Sequence, residues 1–437
     1  MKRSVPDSDR RSRSLLLHCI DGGVPYLTPS LLERYFPPSD DLFLGIAVRD
    51  TCVVPTFKDD SKAKSKKKAT SIKKNKIQPA GHQVQHNNSN IDESPKPRGY
   101  SFNPVKPDRW LTPYTRVTVP SFSLVNDELT CQRGKPRQPQ PKDKGNDNHV
   151  RVWTPHGKQN LTVDLYSASC TGLESNFSVS LYDMSNENND KRQEKAILRN
   201  QQWFVEFLRR QKEGVVAGRA VSTTWAPVII PSAADIPPEK VQLSLAHVEG
   251  VDANEVSGVA LVGSWRKEYD EQLRSLGVPH VALLSADSLS EVLESCCSAF
   301  ISVIGTDLPT RWAKEKKALV VDISWRNKRI RPNNTSSMSE GVAQRFPKLD
   351  VDGCIDLHDI KLRRDSKPLV MGCDCLACNG DKFSRAYLHH LVCAKELVAE
   401  ILLFAHNLHH LLQLIRSFSE QEGPNDLRDF INSQITQ

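Results

Sequence analysis

No apolar stretch of the kind that precedes a secretory cleavage site opens this 437-residue chain, because Met1 to Ser14 is polar and rich in arginine. A reducing compartment is the expectation that follows, in which clustered cysteines are metal ligands before they are disulfides. The cysteine count, an odd eleven, agrees with that. A mitochondrial presequence built on Arg10, Arg11 and Arg13 is opposed by Asp7 and Asp9. A repeat of fixed period is also missing, and 21 glycines beside 27 prolines point to inserted loops rather than a fibrous repeat. No glycine-rich nucleotide fingerprint follows a strand-like run. A clean membrane span is lacking too. Leu397 to Ile415 is long enough, but it carries Glu400, His406, Asn407, His409 and His410, so it reads as a buried helix without integral membrane association.

What the chain does have is charge concentrated in one place. Lys58 to Lys76 holds nine lysines against two aspartates, which equals the whole formal net charge of +7 and leaves the remainder near neutrality. Such a run is first a solvated tail, and second a site of nonspecific phosphate attraction or a nuclear import signal. The surrounding insertion 58–108, like a second at 132–149, is rich in Lys, Pro, Asn and Ser and poor in large apolar residues. Neither can offset its own ordering entropy, and both are expected to be disordered.

Strand-like runs occur at Leu15–Cys19, Leu42–Val48, Val150–Trp153 and Leu161–Leu165, then at Val228–Ile230, Val241–Val248, Val259–Val262, Val281–Leu284, Ala299–Ile304 and Leu319–Ile323. Helical periodicity marks Ala196–Arg210, and helix-length segments at Lys267–Leu276 and Asp287–Cys297 separate several of the later runs. Near-continuous apolar strands alternating with helices predict a parallel sheet covered on both faces, and their number suits an irregular (β/α)8 TIM barrel of the α/β class. A doubly wound open sheet is the alternative. The expected organisation is barrel-entry strands in 1–57, the basic insertion 58–108, and the N-terminal part of the barrel in 109–190. The remaining barrel follows in 191–365, a zinc-binding subdomain with an interface helix in 366–420, and a tail in 421–437.

The segment Met371-Gly-Cys-Asp-Cys-Leu-Ala-Cys378 spells C-x-C-x-x-C. Cys373, Cys375 and Cys378 can converge on one ion only if the backbone turns tightly, and tetrahedral Zn2+ then needs a fourth ligand. Downstream stand His389, His390, His406, His409 and His410. His406 is preferred, since a helix folding back over the loop brings its middle to the metal. Four protein ligands would make one structural zinc with no open position for a catalytic water. Unmetallated thiols and a redox C-x-x-C are the competing readings. Cys296 and Cys297 end a helical segment with no charged activator beside them in sequence, and read as core.

The run Phe383-Ser-Arg-Ala-Tyr-Leu-His-His-Leu391, with His406-Asn407-Leu408-His409 behind the cysteines, closely resembles the C-terminal zinc subdomain of the tRNA-guanine transglycosylases. The likeness is specific over Gly372–Ser417 and weaker back to about Val241; Asn379-Gly-Asp-Lys382 looks like a short insertion in the cysteine–histidine loop. The resemblance implies an eight-stranded α/β barrel, the ligand set Cys373, Cys375, Cys378 and His406, and a role in replacing guanine at wobble position 34 of certain tRNAs. Departures from the enzymes' pattern bear on catalysis. Glu249, in Leu243–Gly250, stands where they carry a base-binding glutamine, and Ser257–Gly263 lacks their double glycine and following glutamate. Their nucleophilic aspartate lies four residues before Pro-Thr-Arg; here Pro309-Thr310-Arg311 is preceded at that distance by Gly305. Asp307 is offset by two residues, roughly 6.6 Å along a strand. The D-S-G-G-F-Q loop is absent.

These losses match the family's non-catalytic accessory subunit. The resemblance therefore implies no catalytic residues and a heterodimer with a catalytic subunit that inserts queuine into tRNAs with G-U-N anticodons (those for aspartate, asparagine, histidine and tyrosine). It implies tRNA as a second partner. It also implies an interface through the zinc cap and helix Leu388–Arg416, and a cytoplasmic location, peripheral to the mitochondrial outer membrane in some members, with nuclear entry through the lysine run left open. Two other functions remain in play: an active transglycosylase with Asp307 as displaced nucleophile, and a zinc-containing RNA-binding module.

Overall fold

The computed structural model describes residues 13–20, 23–48, 111, 113–120, 122, 149–154, 157–183, 190–217, 222–230, 256–263, 265–276, 280–321, 349–378, 383–420 and 424–435. In chain order these form β1 (Ser14–His18), α1 (Pro29–Tyr35), β2 (Leu42–Ala47), β3 (Thr115–Val119), β4 (His149–Thr154), β5 (Gly157–Thr162), α2 (Val163–Gly172), β6 (Phe177–Val179) and α3 (Asp190–Val216). There follow β7 (Thr223–Ile229), β8 (Gly258–Val262), α4 (Asp270–Leu276), β9 (His280–Leu283), α5 (Leu289–Cys297), β10 (Ile301–Thr306), α6 (Leu308–Lys314), β11 (Lys317–Leu319), β12 (Cys354–Asp356), α7 (Arg385–Cys393), α8 (Leu397–Glu420) and α9 (Pro424–Ile435).

Eight strands close into a barrel in the order β1-β10-β9-β8-β7-β6-β3-β2, each parallel to its neighbours. One apolar cluster takes a residue from every strand: Leu16, Ala47, Val117, Val179, Trp225, Ala260, Ala282 and Val303. Only the barrel interior is shared by all eight strands, so this cluster fills it. The alternate residues, such as Leu15, Leu17, Leu42, Leu44, Val259 and Leu261, face outward and pack under the helices. Both faces of the sheet are thus buried, as the near-continuous apolar strands require.

The expected barrel is therefore present, but three of its predicted strands lie elsewhere. Val150–Trp153 belongs to β4, which pairs antiparallel with β5 in a hairpin outside the barrel sheet. The run Leu161–Leu165 divides at Thr162, whose hydroxyl accepts the Leu165 N–H and caps α2, so strand gives way to helix in the middle of an apolar stretch. Leu319 ends β11, which pairs antiparallel with β12 and is not a barrel strand. The barrel places are taken instead by β3 and the three-residue β6. The expected strand over Val241–Val248 lies outside the described residues, and β7 pairs directly with β8. The insertion 58–108 lies outside them too, as does 132–149 apart from His149, which opens β4.

Local chemistry explains several helix starts. Ser288 and Glu291 form a reciprocal cap at α5, the hydroxyl accepting the Glu291 N–H at 3.2 Å and the carboxylate accepting the Asp287 N–H at 2.9 Å. Ser384 caps α7 by accepting from the Tyr387 N–H. Among the described residues α8 is the one helix long and apolar enough to cross a bilayer, and 72% of that window is buried inside the fold. Leu403, Phe404, Leu408, Leu411 and Leu414 are fully buried, each worth roughly 1.5–3 kcal/mol against exposure. Its C-terminal end is tied to the barrel: the Arg13 backbone N–H donates to Ser419 Oγ and its guanidinium to Phe418 O, both at 3.1 Å. Cys296 is fully buried in α5, where desolvation pushes its thiol pKa up to about 12, and it behaves as core.

At Gly305 the backbones of β9 and β10 approach so closely that a Cβ would lie 2.0 Å from the carbonyl oxygen of Leu284. Gly305→Ala must push two barrel strands apart, and is expected to cost roughly 2–4 kcal/mol of stability, read as a lowered thermal midpoint. An unchanged midpoint would show that the strands have room there.

Candidate functional site

Two regions were marked by the sequence, the cysteine loop and the C-terminal mouth of the barrel. The cysteine loop follows the short strand β12 and a 3-10 turn over Ile360–Arg364, and precedes α7. Its backbone turns back on itself: Cys373 N–H donates to Val370 O, and Cys378 N–H to both Cys375 O and Cys375 Sγ. Cys375 and Cys378 are buried and Cys373 is half-buried.

α8 folds over this loop and presents His406, fully buried, from its middle. His406 Nδ1 lies 3.4 Å from Cys375 Sγ and 3.5 Å from Cys378 Sγ. The ligand atoms of Cys373, Cys375, Cys378 and His406 all fall within 4.8 Å of one another. A tetrahedral ion of zinc's size needs N–S edges of about 3.5 Å and S–S edges of about 3.8 Å. The donor set and its spacing fit such an ion, and the group could hold one.

The imidazole is already oriented for that task. Its Nε2 is 2.8 Å from the Leu319 carbonyl, an acceptor only, so Nε2 carries the proton and Nδ1 turns its lone pair to the sulfurs. Of the other histidines, His409 also reaches the loop, where it is in hydrogen-bonding contact with Cys373, and the rest are engaged elsewhere or exposed. His389 Nδ1 donates to Leu357 O, His410 Nε2 donates to Val321 O, His409 meets Asp374 at 3.0 Å, and His390 is exposed. His406 stands out among the five because it is fully buried and its Nδ1 lies against two of the sulfurs. The insertion 379–382 lies outside the described residues.

Without a cation three clustered thiols cannot all ionise. Contact with Cys375, then Cys378, pulls the Cys373 pKa far down, while the same contact with Cys373, then Cys378, pushes that of Cys375 far up. Burial alone would lower the His406 pKa, but the charge of Cys378 and hydrogen bonds with Cys373 and Cys378 outweigh it and raise it to about 10.

The barrel mouth is different in character. Apolar side chains fill the barrel interior, while just past the end of β6 the buried Asp183 is paired with Arg199 and its backbone N–H donates to Asn200 Oδ1 at 2.7 Å. His18, at the end of β1, donates from Nε2 to Leu284 O at 2.7 Å, and Phe122 lies face-on to its ring at a centroid distance of 3.8 Å. The Phe122 ring occupies the space left by Gly45, where a Cβ would come within 2.4 Å of it. Gly305 lies within β10, but its Cβ direction runs into the β9 backbone. Asp307 does not extend the strand. With φ −104° and ψ 3° it has already turned into the N-cap of α6, and its carbonyl accepts the Thr310 and Arg311 N–H groups. Its neighbour there is Asp287, whose pKa is raised first by burial, with the Asp307 charge adding and Arg311 opposing. Glu249 lies outside the described residues. The Phe122–His18 stack was not read from sequence, and no motif or spacing announces it.

Comparison with known proteins bears on both regions. The family model for queuine tRNA-ribosyltransferase matches residues 122–436. The human queuine tRNA-ribosyltransferase accessory subunit 2 is 23% identical over 359 residues, which covers 75% of this chain and 82% of that protein. The accessory subunit 2 of Schizosaccharomyces pombe is 26% identical over 304 residues, 68% of this chain and 62% of that protein. That of Danio rerio is 40% identical, but over 81 residues only, 18% of this chain and 19% of that protein.

Metal analysis of the purified chain is expected to return one divalent ion per chain, and Cys375→Ala or His406→Ala to abolish it. Binding must displace the His406 proton and those of the thiols, so below the His406 pKa of about 10 affinity should fall as pH falls, by about tenfold or more per unit. An ion held as tightly at pH 5 as at pH 8 would contradict this ligand set.

Proposed function

Because this chain belongs to the queuine tRNA-ribosyltransferase family, we propose that it is the non-catalytic subunit of a complex that exchanges guanine for queuine at the wobble position of tRNA. The observation that carries the reading is the barrel mouth. Where the catalytic pattern calls for an aspartate the chain has Gly305, which has no room for a side chain, and the buried carboxylate nearest the end of β6, Asp183, is engaged by Arg199. Covalent attack tolerates misplacement of about an ångström, and Asp307, two residues on and turned into a helix cap, does not meet that limit. The names of the human and fission-yeast relatives support the same role.

In this reading Cys373, Cys375, Cys378 and His406 hold one zinc ion. Fully coordinated by protein, it would supply a structural clamp worth roughly 10–16 kcal/mol by analogy with small zinc domains, without catalysing anything itself. The catalytic subunit would dock on the cap and on α7 and α8. Support comes from apolar side chains left in solvent there: Met371, Tyr387, Leu397 and Val398 are 55%, 43%, 63% and 46% exposed. Exposed Lys361, Arg363, Arg364 and Lys367 on the same cap suit the tRNA backbone, which positions the RNA without reading its sequence.

The purified chain is expected to incorporate no labelled guanine into tRNA by itself, and to support exchange once mixed with its catalytic partner. Within the complex, Asp307→Asn should change the rate by no more than about twofold, whereas loss of a nucleophile would lower it by orders of magnitude. Activity of the isolated chain that vanishes in Asp307→Asn would assign the chemistry to this subunit instead.

A further inference from the structure

β11 stands outside the barrel sheet, and only one of its edges is paired with a strand. Lys317, Ala318 and Leu319 lie opposite Asp356, Ile355 and Cys354 of β12. The other edge is met by side chains of α8. Leu319 N–H donates to Asn407 Oδ1 at 2.9 Å, and Leu319 O accepts from His406 Nε2 at 2.8 Å. Asn407 Nδ2 donates to Lys317 O at 3.0 Å, and one turn further His410 Nε2 donates to Val321 O at 2.8 Å. Helix side chains thus supply the hydrogen bonds that a neighbouring strand would have given.

Asn407 is fully buried, with its carbonyl oxygen and its amide group both engaged. Its amide can point only one way. A flipped side chain would set N–H against the Leu319 N–H and oxygen against the Lys317 carbonyl. Held at Lys317 and at the Leu319 N–H, the strand cannot rotate, and the Leu319 carbonyl is aimed at the neighbouring ring of His406. That carbonyl is what keeps the His406 proton on Nε2 and its Nδ1 lone pair toward the three sulfurs.

We propose that Asn407 is a positioning residue for the metal centre, and that metal loading and docking of β11 on α8 form one coupled equilibrium. The inference rests on the reading that the Cys3His group holds zinc, and extends it beyond the four ligands. Partners that orient a ligating histidine typically contribute about 10- to 100-fold in affinity. Asn407 acts one step further out, by holding the strand whose carbonyl orients the ring. The pairing also gives the ion a reach beyond its own loop. Releasing it would free the edge of β11, and with it the link between the last barrel helix, α6, and the cap.

The test uses the full chain. Zinc affinity is measured by competition with a chromophoric chelator for the wild type, for Asn407→Ala, and for Leu414→Ala, which empties a buried site two turns along α8 without touching β11. Asn407→Ala is expected to weaken zinc binding by about tenfold, the low end of what a direct partner of a ligating histidine contributes, and Leu414→Ala to leave it close to wild type although it also lowers stability. In the wild type, hydrogen exchange at the Leu319 amide should be slow with zinc bound and fast after chelation. This second measurement needs no variant, and it decides the matter even where Asn407→Ala fails to fold. Equal affinities for the two variants, or a Leu319 amide protected alike with and without zinc, would overturn the coupling while leaving the ligand assignment intact. A wild-type chain that binds no zinc would overturn both.

Discussion

One imidazole ring is shared between a backbone carbonyl and three sulfurs, and much of the C-terminal half is arranged around that sharing. His406 satisfies the Leu319 carbonyl with Nε2 and the cysteine group with Nδ1 while fully buried. Leaving either side unpaired in such a place would cost about 1–3 kcal/mol or more. Both can be satisfied only if α8 lies over the cysteine loop on one side and along β11 on the other. That fixes the rotation of a helix whose remaining faces are apolar and would otherwise pack in several ways. α8 then lies against α6 and β1, and Arg13 joins its end to the barrel.

The barrel depends on packing and not on the chemistry at its mouth. The strand order, the parallel pairing and the outer helices remain, because they depend on burying alternate faces of eight strands. At Gly305, among the described residues, no side chain of any kind projects from β10. The space is taken by the Phe122 ring on His18 and by the contact between the backbones at Gly305. A carboxylate is expensive in such an apolar setting unless hydrogen bonds and a substrate compensate. On the cap, by contrast, apolar residues and cations are both left exposed.

The strands β8, β9 and β10 were legible because their apolar runs are short, continuous and bounded by helical periodicity. β3 and β6 were not. Thr-Arg-Val-Thr-Val carries a charge that reads as exposed, yet Arg116 is buried and its guanidinium reaches the Leu173 carbonyl at the end of α2. Phe-Ser-Val is too short to show any period. Conversely, Val150–Trp153 and the run that begins at Leu319 have the composition of buried strands, but Val150–Trp153 pairs with β5 and Leu319 with β12, a matter of long-range pairing that composition does not encode.

The amino-acid sequence by itself determined the cysteine cluster, the alternation of strands and helices, and the glycine where the family's enzymes carry an aspartate, because each depends on residue types at short spacing. Thiolates two and three residues apart must turn around one point whatever the surroundings. The tertiary structure decided the rest: which eight runs close the barrel, that Gly305 faces a neighbouring backbone, and which proton position His406 adopts. That last feature joins residues 87 apart along the chain. Contacts of that kind exist only after the loop-closing entropy has been offset by packing, and no local pattern records where they will form.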